Sequence, residues 1–153
     1  MKVGIQNVFP AHKDHNDRDM YKRETRLLIE AEGMGFDIIW PVEHHFFDYS
    51  MCPDNMQYLS YIAARTERME LGTGAIILPW NNPMRVVEKM VRLDHLSDGR
   101  AVLGLGRGLS RREYAGFGVD MDVPPPAADV PPTLAVPRLH DATFSAASGE
   151  CGS

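Results

Sequence analysis

The sequence predicts an α/β fold on a parallel sheet, and three observations predict it. Four short apolar runs recur within residues 1–107, segments with helical spacing separate them, and each connection is about 15 residues long, enough for the crossover that parallel strands need. The resulting order is β-α-β-α-β-α-β. Two architectures share it, a doubly wound open sheet and a stretch of (β/α)8 barrel, and periodicity alone does not separate them.

Each element has its own signal. "KVGIQNVF" reads as a first strand near residues 2–8. In "DMYKRETRLLIEAEGMGF", Met20, Glu24, Leu27, Leu28, Ala31 and Met34 fall near helical spacing, with Asp17 or Asp19 as cap and Gly33 and Gly35 as stop. "FDIIWPV" is a second strand near 37–43, apolar on consecutive positions as a strand covered on both faces would be. Met56, Leu59, Ile62, Ala63 and Thr66 mark a second helix, and "MELGTGAIIL" a third strand near 70–78. In "NNPMRVVEKMVRLDHLSDGR", Asn82 can cap a third helix, Pro83 suits its first position, and Gly99 follows its end. "AVLGLGRG" supplies a fourth strand near 101–107, after which "SRREYAGF" can begin another helix.

Composition places the folded part in residues 1–122 and an irregular tail in 123–153, which holds six of the eleven prolines and no lysine. A net charge of −5 without a long basic run argues against nucleic acid or an anionic membrane as partner. No apolar stretch reaches the roughly 18 residues of a membrane span. Cys52 and Cys151 lie far apart and form no ligand or redox motif, so the expected setting is reducing and cytoplasmic.

Functional groups of a parallel α/β sheet collect at the C-terminal ends of its strands. Here those ends carry Gln6-Asn7, then Glu43-His44-His45, the small-residue window Thr73-Gly74-Ala75, and Arg107-Gly108. Such a cleft could hold a flat ring against Gly74-Ala75, with His44 at its edge and Arg107 on an anionic group. Adjacent histidines on a strand point to opposite faces, so His44 and His45 would share a metal only if the chain turned between them, and no second ligand cluster follows. His12 and His15 in "HKDHND" read as a solvated loop. "GLGRG" at 104–108 completes neither a phosphate-binding loop nor a dinucleotide fingerprint. The methionines read as core, as do Phe46 and Phe47, which could also wall a pocket.

The segments "GFDIIWPVEHHF", "LGTGAIILPWNNPMRVVEKMVRLDHLSDGRAVLGLGRG" and "FGVDMD" together resemble the N-terminal part of the luciferase-like flavin monooxygenases, across about residues 1–122. The resemblance implies the N-terminal half of a (β/α)8 TIM-type barrel, with four parallel strands in sequential order. It implies reduced FMN as cofactor, with deazaflavin as the alternative used by relatives, O2 and a small organic molecule as substrates, and a flavin reductase as partner. With the resemblance the metal reading drops away. His44 matches the histidine that handles protons beside the flavin, and His45 a second functional position of supporting character. Glu43, Gly74 and Ala75 are implied cofactor contacts, the Gly74–Ala75 peptide as a non-prolyl cis bond under the ring, and Arg107 as the contact to the cofactor phosphate. Gly106 stands where light-emitting members carry a cysteine, which argues against light emission. After "FGVDMD" the family continues into a charged helix, whereas this chain turns proline-rich. The expectation is therefore a truncated or frame-shifted member with strands one and four as open edges, impaired alone and prone to self-association; the alternatives are a non-catalytic flavin-binding remnant and a deazaflavin-dependent oxidoreductase.

Overall fold

The computed structural model describes residues 1–11, 16–123 and 133–137. Its elements run β1 (Gly4–Asn7), α1 (Asp17–Gly33), β2 (Ile38–Pro41), α2 (Asn55–Ala63), β3 (Glu70–Gly72), β4 (Ile76–Ile77), a 3-10 turn (Leu78–Trp80), α3 (Pro83–Leu96), β5 (Ala101–Gly106), α4 (Arg111–Phe117) and β6 (Thr133–Pro137). Strands β1 to β5 pair with one another in parallel throughout. Their order is β1-β2-β3-β5, with β4 continuing the line of β3 along β5, so β1 lies at an edge and the doubly wound alternative, in which the first strand lies between two others, is excluded. The fold is part of a (β/α) barrel. Among the described residues no helix is long and apolar enough to cross a membrane.

The expected third strand is not continuous. β3 pairs with β5 through Leu71↔Ala101 and Gly72↔Val102, whereas β4 pairs through Ile76↔Leu105 and Ile77↔Gly106, so the register slips by one residue across Thr73–Ala75. The Thr73 hydroxyl fills the break: it accepts from Gly104 N at 2.8 Å and donates to Gly104 O at 2.9 Å. A Cβ on Gly104 would lie 2.0 Å from the Thr73 carbonyl oxygen, so only glycine allows this approach.

Capping explains where the helices begin. Asn16, rather than Asp17 or Asp19, caps α1, accepting from Asp19 N at 3.0 Å, and the two acids occupy the first turn where the helix dipole favours them. Asp54 caps α2, and Asn82 with Pro83 starts α3 as the sequence predicts. At the other end of the strands, Arg100 donates to the carbonyls of Ala63, Thr66, Met69 and Ser97, closing the C-terminal end of α2. Buried Asp94 accepts from Ala101 N and so fixes the entry into β5.

The core lies between the sheet and its helices. Ile39, Leu71, Ala101 and Leu103 face it from the strands; Met20, Leu28, Leu59, Ile62, Met90 and Leu93 meet them from α1, α2 and α3. Within the tail, expected to be mostly irregular, Thr133–Pro137 form β6, which pairs antiparallel with Val102–Gly106 of β5. Consequently β1 is the open parallel edge, while the strand expected to form the second open edge is covered. Pro137 ends β6, where a missing amide donor costs the ladder least. Residues 124–132 and 138–153, like His12 and His15, lie outside the described residues.

Candidate active site

The C-terminal ends of the parallel strands converge on one cleft. Its volume is about 910 Å³, within the range of small-molecule sites. Gln6 from β1, Trp40 from β2, Glu43 and His44 beyond β2, Gly74 and Ala75 between β3 and β4, and Gly104, Gly106 and Arg107 at the end of β5 all line it. The amide pair at the end of β1 is split by strand alternation: Gln6 faces the cleft, while Asn7 turns to the helices and donates to Glu24 of α1 at 2.8 Å.

The floor is made of small residues. The Gly74–Ala75 peptide is cis. Gly74 N donates to Pro41 O at 3.0 Å, and the Asn55 side chain, buried at the start of α2, donates to both Pro41 O and Ala75 O. Trp40 lies across the same floor. A Cβ on Gly72 would come within 2.4 Å of its ring and one on Gly74 within 3.0 Å of its Cβ, so two glycines make room for one indole.

Glu43 is buried and saturated with donors. It accepts from Trp80 Nε1 at 2.8 Å, Asn81 Nδ2 at 2.9 Å and Ile77 N at 3.0 Å, with His45 Nε2 3.1 Å away. Its carboxylate therefore ties the end of β2 to β4 and the turn that follows. His45 leaves the cleft side and packs edge-on against Trp80 and Phe117, whose rings stack at 5.1 Å. Phe46, read as core, is instead half-exposed at φ 64°, its ring filling the space that Gly116 leaves open. Phe47 lines the cleft, with the Arg112 guanidinium 5.2 Å above its ring.

His44 sits at the mouth. Its Nδ1 lies 3.1 Å from Glu113 Oε1, and the Tyr49 hydroxyl lies 3.1 Å from its Nε2. Burial, and secondarily the Glu113 charge, push the Tyr49 hydroxyl above its ordinary pKa, so it keeps its proton at neutral pH. Glu113 was missed by sequence reasoning because "SRRE" reads as a capping box, in which the glutamate would turn back on its own helix. Ser110 does cap α4, accepting from Glu113 N at 3.3 Å, but the carboxylate reaches the histidine loop instead. Asn55 was missed because nothing in its neighbourhood marks a loop-clamping amide.

Arg107 extends from the end of β5, exposed, and its guanidinium makes no ion pair among the described residues. Its carbonyl accepts from Tyr114 OH at 2.6 Å, which anchors the main chain and leaves the cation free to meet an anion. A flat cofactor with a phosphate fits this donor set: Trp40 and small residues below, Phe47 at the side, a free guanidinium at one end. Among the described residues no cluster of His, Cys, Asp and Glu could hold a metal ion.

Comparison with known proteins finds relatives of this chain in sequence and in fold. The family model for luciferase-like monooxygenases matches residues 1–129. The alkanal monooxygenase alpha chain of Photorhabdus laumondii is 35% identical over 104 residues, covering 68% of this chain and 29% of that one. The monooxygenase RslO1 of Streptomyces bottropensis superposes with a TM-score of 0.76 at 32% identity, over 80% of this chain and 38% of its own. The coenzyme F420 dependent tetrahydromethanopterin reductase of Methanopyrus kandleri gives 0.59 at 26% identity, over 78% and 30%. The chain thus spans well under half the length of each.

Proposed function

The chain belongs to the luciferase-like monooxygenase family, and on that premise we propose that its cleft takes reduced FMN in a monooxygenase reaction that transfers one oxygen atom of O2 to a small organic substrate. One observation carries this reading: His44, the Gly74–Ala75 window and the unpaired Arg107 guanidinium converge on a single cleft from three different strand ends. The cofactor supplies the redox chemistry; the protein contributes orientation, exclusion of water and proton handling. In this reading Arg107 meets the phosphate, Gly74 and Ala75 lie against the ring, and His44 moves a proton at its edge. Glu43 and His45 act one step back, holding the loop that presents His44.

Monooxygenation favours FMN over a deazaflavin, because a reduced ring with nitrogen at position 5 reacts readily with O2 and a 5-carbon ring does not. The likeness to the F420 dependent reductase supports the second reading, a deazaflavin oxidoreductase. A separate flavin reductase would deliver the reduced cofactor, and the free, buried thiol of Cys52 favours a reducing cytoplasmic setting. Turnover by this chain alone is proposed to be small: Gln6 on edge strand β1 is exposed and Trp40 is half-buried, so water reaches the cleft and a second copy can pair with the edge.

Titration with FMN and, separately, with F420, read by cofactor fluorescence, tests the cofactor. Oxygen uptake with NADH and a reductase, above the reductase alone, tests the reaction. FMN binding with added uptake is expected. F420 binding without uptake would move the assignment to the second reading, and binding of neither would remove both.

A further inference from the structure

His44 and His45 are consecutive, and one buried oxygen touches both. Glu113, on the first turn of α4, is only 2% exposed. Its Oε1 accepts from the backbone N–H of His45 at 2.8 Å and lies 3.1 Å from His44 Nδ1. The first contact fixes the sense of the second. A main-chain N–H can only donate, so this oxygen is an acceptor, and a carboxylate has no proton to offer His44. Nδ1 must therefore carry the hydrogen. The Tyr49 hydroxyl sits between the two ring nitrogens, 3.1 Å from Nε2. The same hydroxyl lies 3.3 Å from Nδ1, but that nitrogen is already committed to Glu113.

We infer that Glu113 is a positioning residue: it holds neutral His44 as the Nδ1–H tautomer, so that the Nε2 lone pair is the basic atom presented at the mouth of the cleft. A free imidazole prefers the opposite tautomer, with the hydrogen on Nε2, so the assignment reverses the intrinsic preference. Glu113 also spans two elements, since α4 follows β5 while the histidines follow β2. The proton state of His44 is thereby tied to the seating of α4. The catalytic consequence rests on the flavin reading above; the tautomer itself is a property of the chain without cofactor.

The test is a long-range proton–nitrogen correlation spectrum of the cofactor-free chain labelled at histidine nitrogen, recorded above the imidazole titration range. The six histidines are resolved by subtracting the spectrum of His44→Gln. For His44 the expected result is a pyrrole-type Nδ1 and a pyridine-type Nε2. Glu113→Gln should keep that pattern, because its amide oxygen can still accept from both donors. Glu113→Ala, shown to be folded by circular dichroism, should convert the majority to Nε2–H, and Tyr49→Phe should leave Nδ1–H in place. A wild-type His44 protonated on Nε2, or an unchanged tautomer in Glu113→Ala, would overturn the inference. Should the alanine variant fail to fold, the wild type and Glu113→Gln decide, and Nε2–H in either overturns it. Because no flavin is present, failure of FMN to bind leaves this result standing, and the converse also holds.

Discussion

On the helix-covered side of the sheet, Ile39, Leu71 and Ala101 stand in register across three strands, each at most 1% exposed. One residue further along, the row on the other side runs Gln6, Trp40, Gly72 and Val102. The first row fills volume against helices. The second has an exposed amide, a half-buried indole and a glycine, and it opens into the cleft. The difference teaches that in this molecule stability and chemistry are divided by strand alternation, with the same backbone serving both.

That division can be broken or sharpened by substitution. The largest effect is expected at the mouth of the cleft. His44→Ala should lower oxygenation, measured relative to whatever turnover the unaltered chain supports, by roughly 10²–10⁴-fold. Its melting temperature should move little, because the side chain is 29% exposed and fills no core volume. Comparable losses of stability and turnover would refute the division.

Leu71→Ala, one face away, should do the reverse. A leucine with no exposed surface leaves a cavity costing about 2–5 kcal/mol, read by denaturant unfolding. FMN affinity per folded molecule should be unchanged. Arg107→Ala should weaken FMN roughly tenfold or more, since a hydrogen bond to a charged group is worth about 1.5–3 kcal/mol. Fluorescence titration reads that loss, and the unfolding midpoint should stay constant.

The smallest effect lies at the opposite end of the strands, where a barrel serves stability. Glu32, near the end of α1, accepts from the backbone N–H groups of Glu67, Arg68 and Met69. Burial alone would raise its pKa, but these three amides outweigh it and hold the carboxyl below its ordinary 4.5. A depressed carboxylate contributes stability that is complete above the unfolded value and is lost as pH falls through the folded one. The stability difference between wild type and Glu32→Gln should therefore be constant near neutrality and shrink below about pH 4.5. A difference that grows on acidification would contradict the assignment.

How far the sequence spoke also divides by face. The helix-covered side is written in spacing: Met90 and Leu93, or Leu59 and Ile62, recur at helical intervals, and Asn82-Pro83 marks a start that chain chemistry alone requires. The cleft is written in contacts between distant residues, which periodicity does not record. His44, Gly74 and Arg107 were visible as odd residue types at strand ends. Glu113 was hidden by a second, equally good local use for the same glutamate. The break in the third strand was hidden because "LGTGAII" is a plausible strand until the Thr73 hydroxyl is seen substituting for a ladder bond. β6 was not singled out because proline content was weighed over the whole of 123–153, whereas "TLAVP" carries a single proline at its end.

The glycine-flanked seat of Trp40 has an optical consequence. The chain has two tryptophans, Trp40 and Trp80. The first lies on the cleft floor, and the second donates its indole N–H to cleft-lining Glu43. Neither stands in the helix-covered core. Light emitted by this protein on indole excitation therefore originates beside the cleft, and a yellow ring entering there would absorb that light at close range. The molecule carries its own reporter, and quenching would follow occupancy of the cleft without any added label.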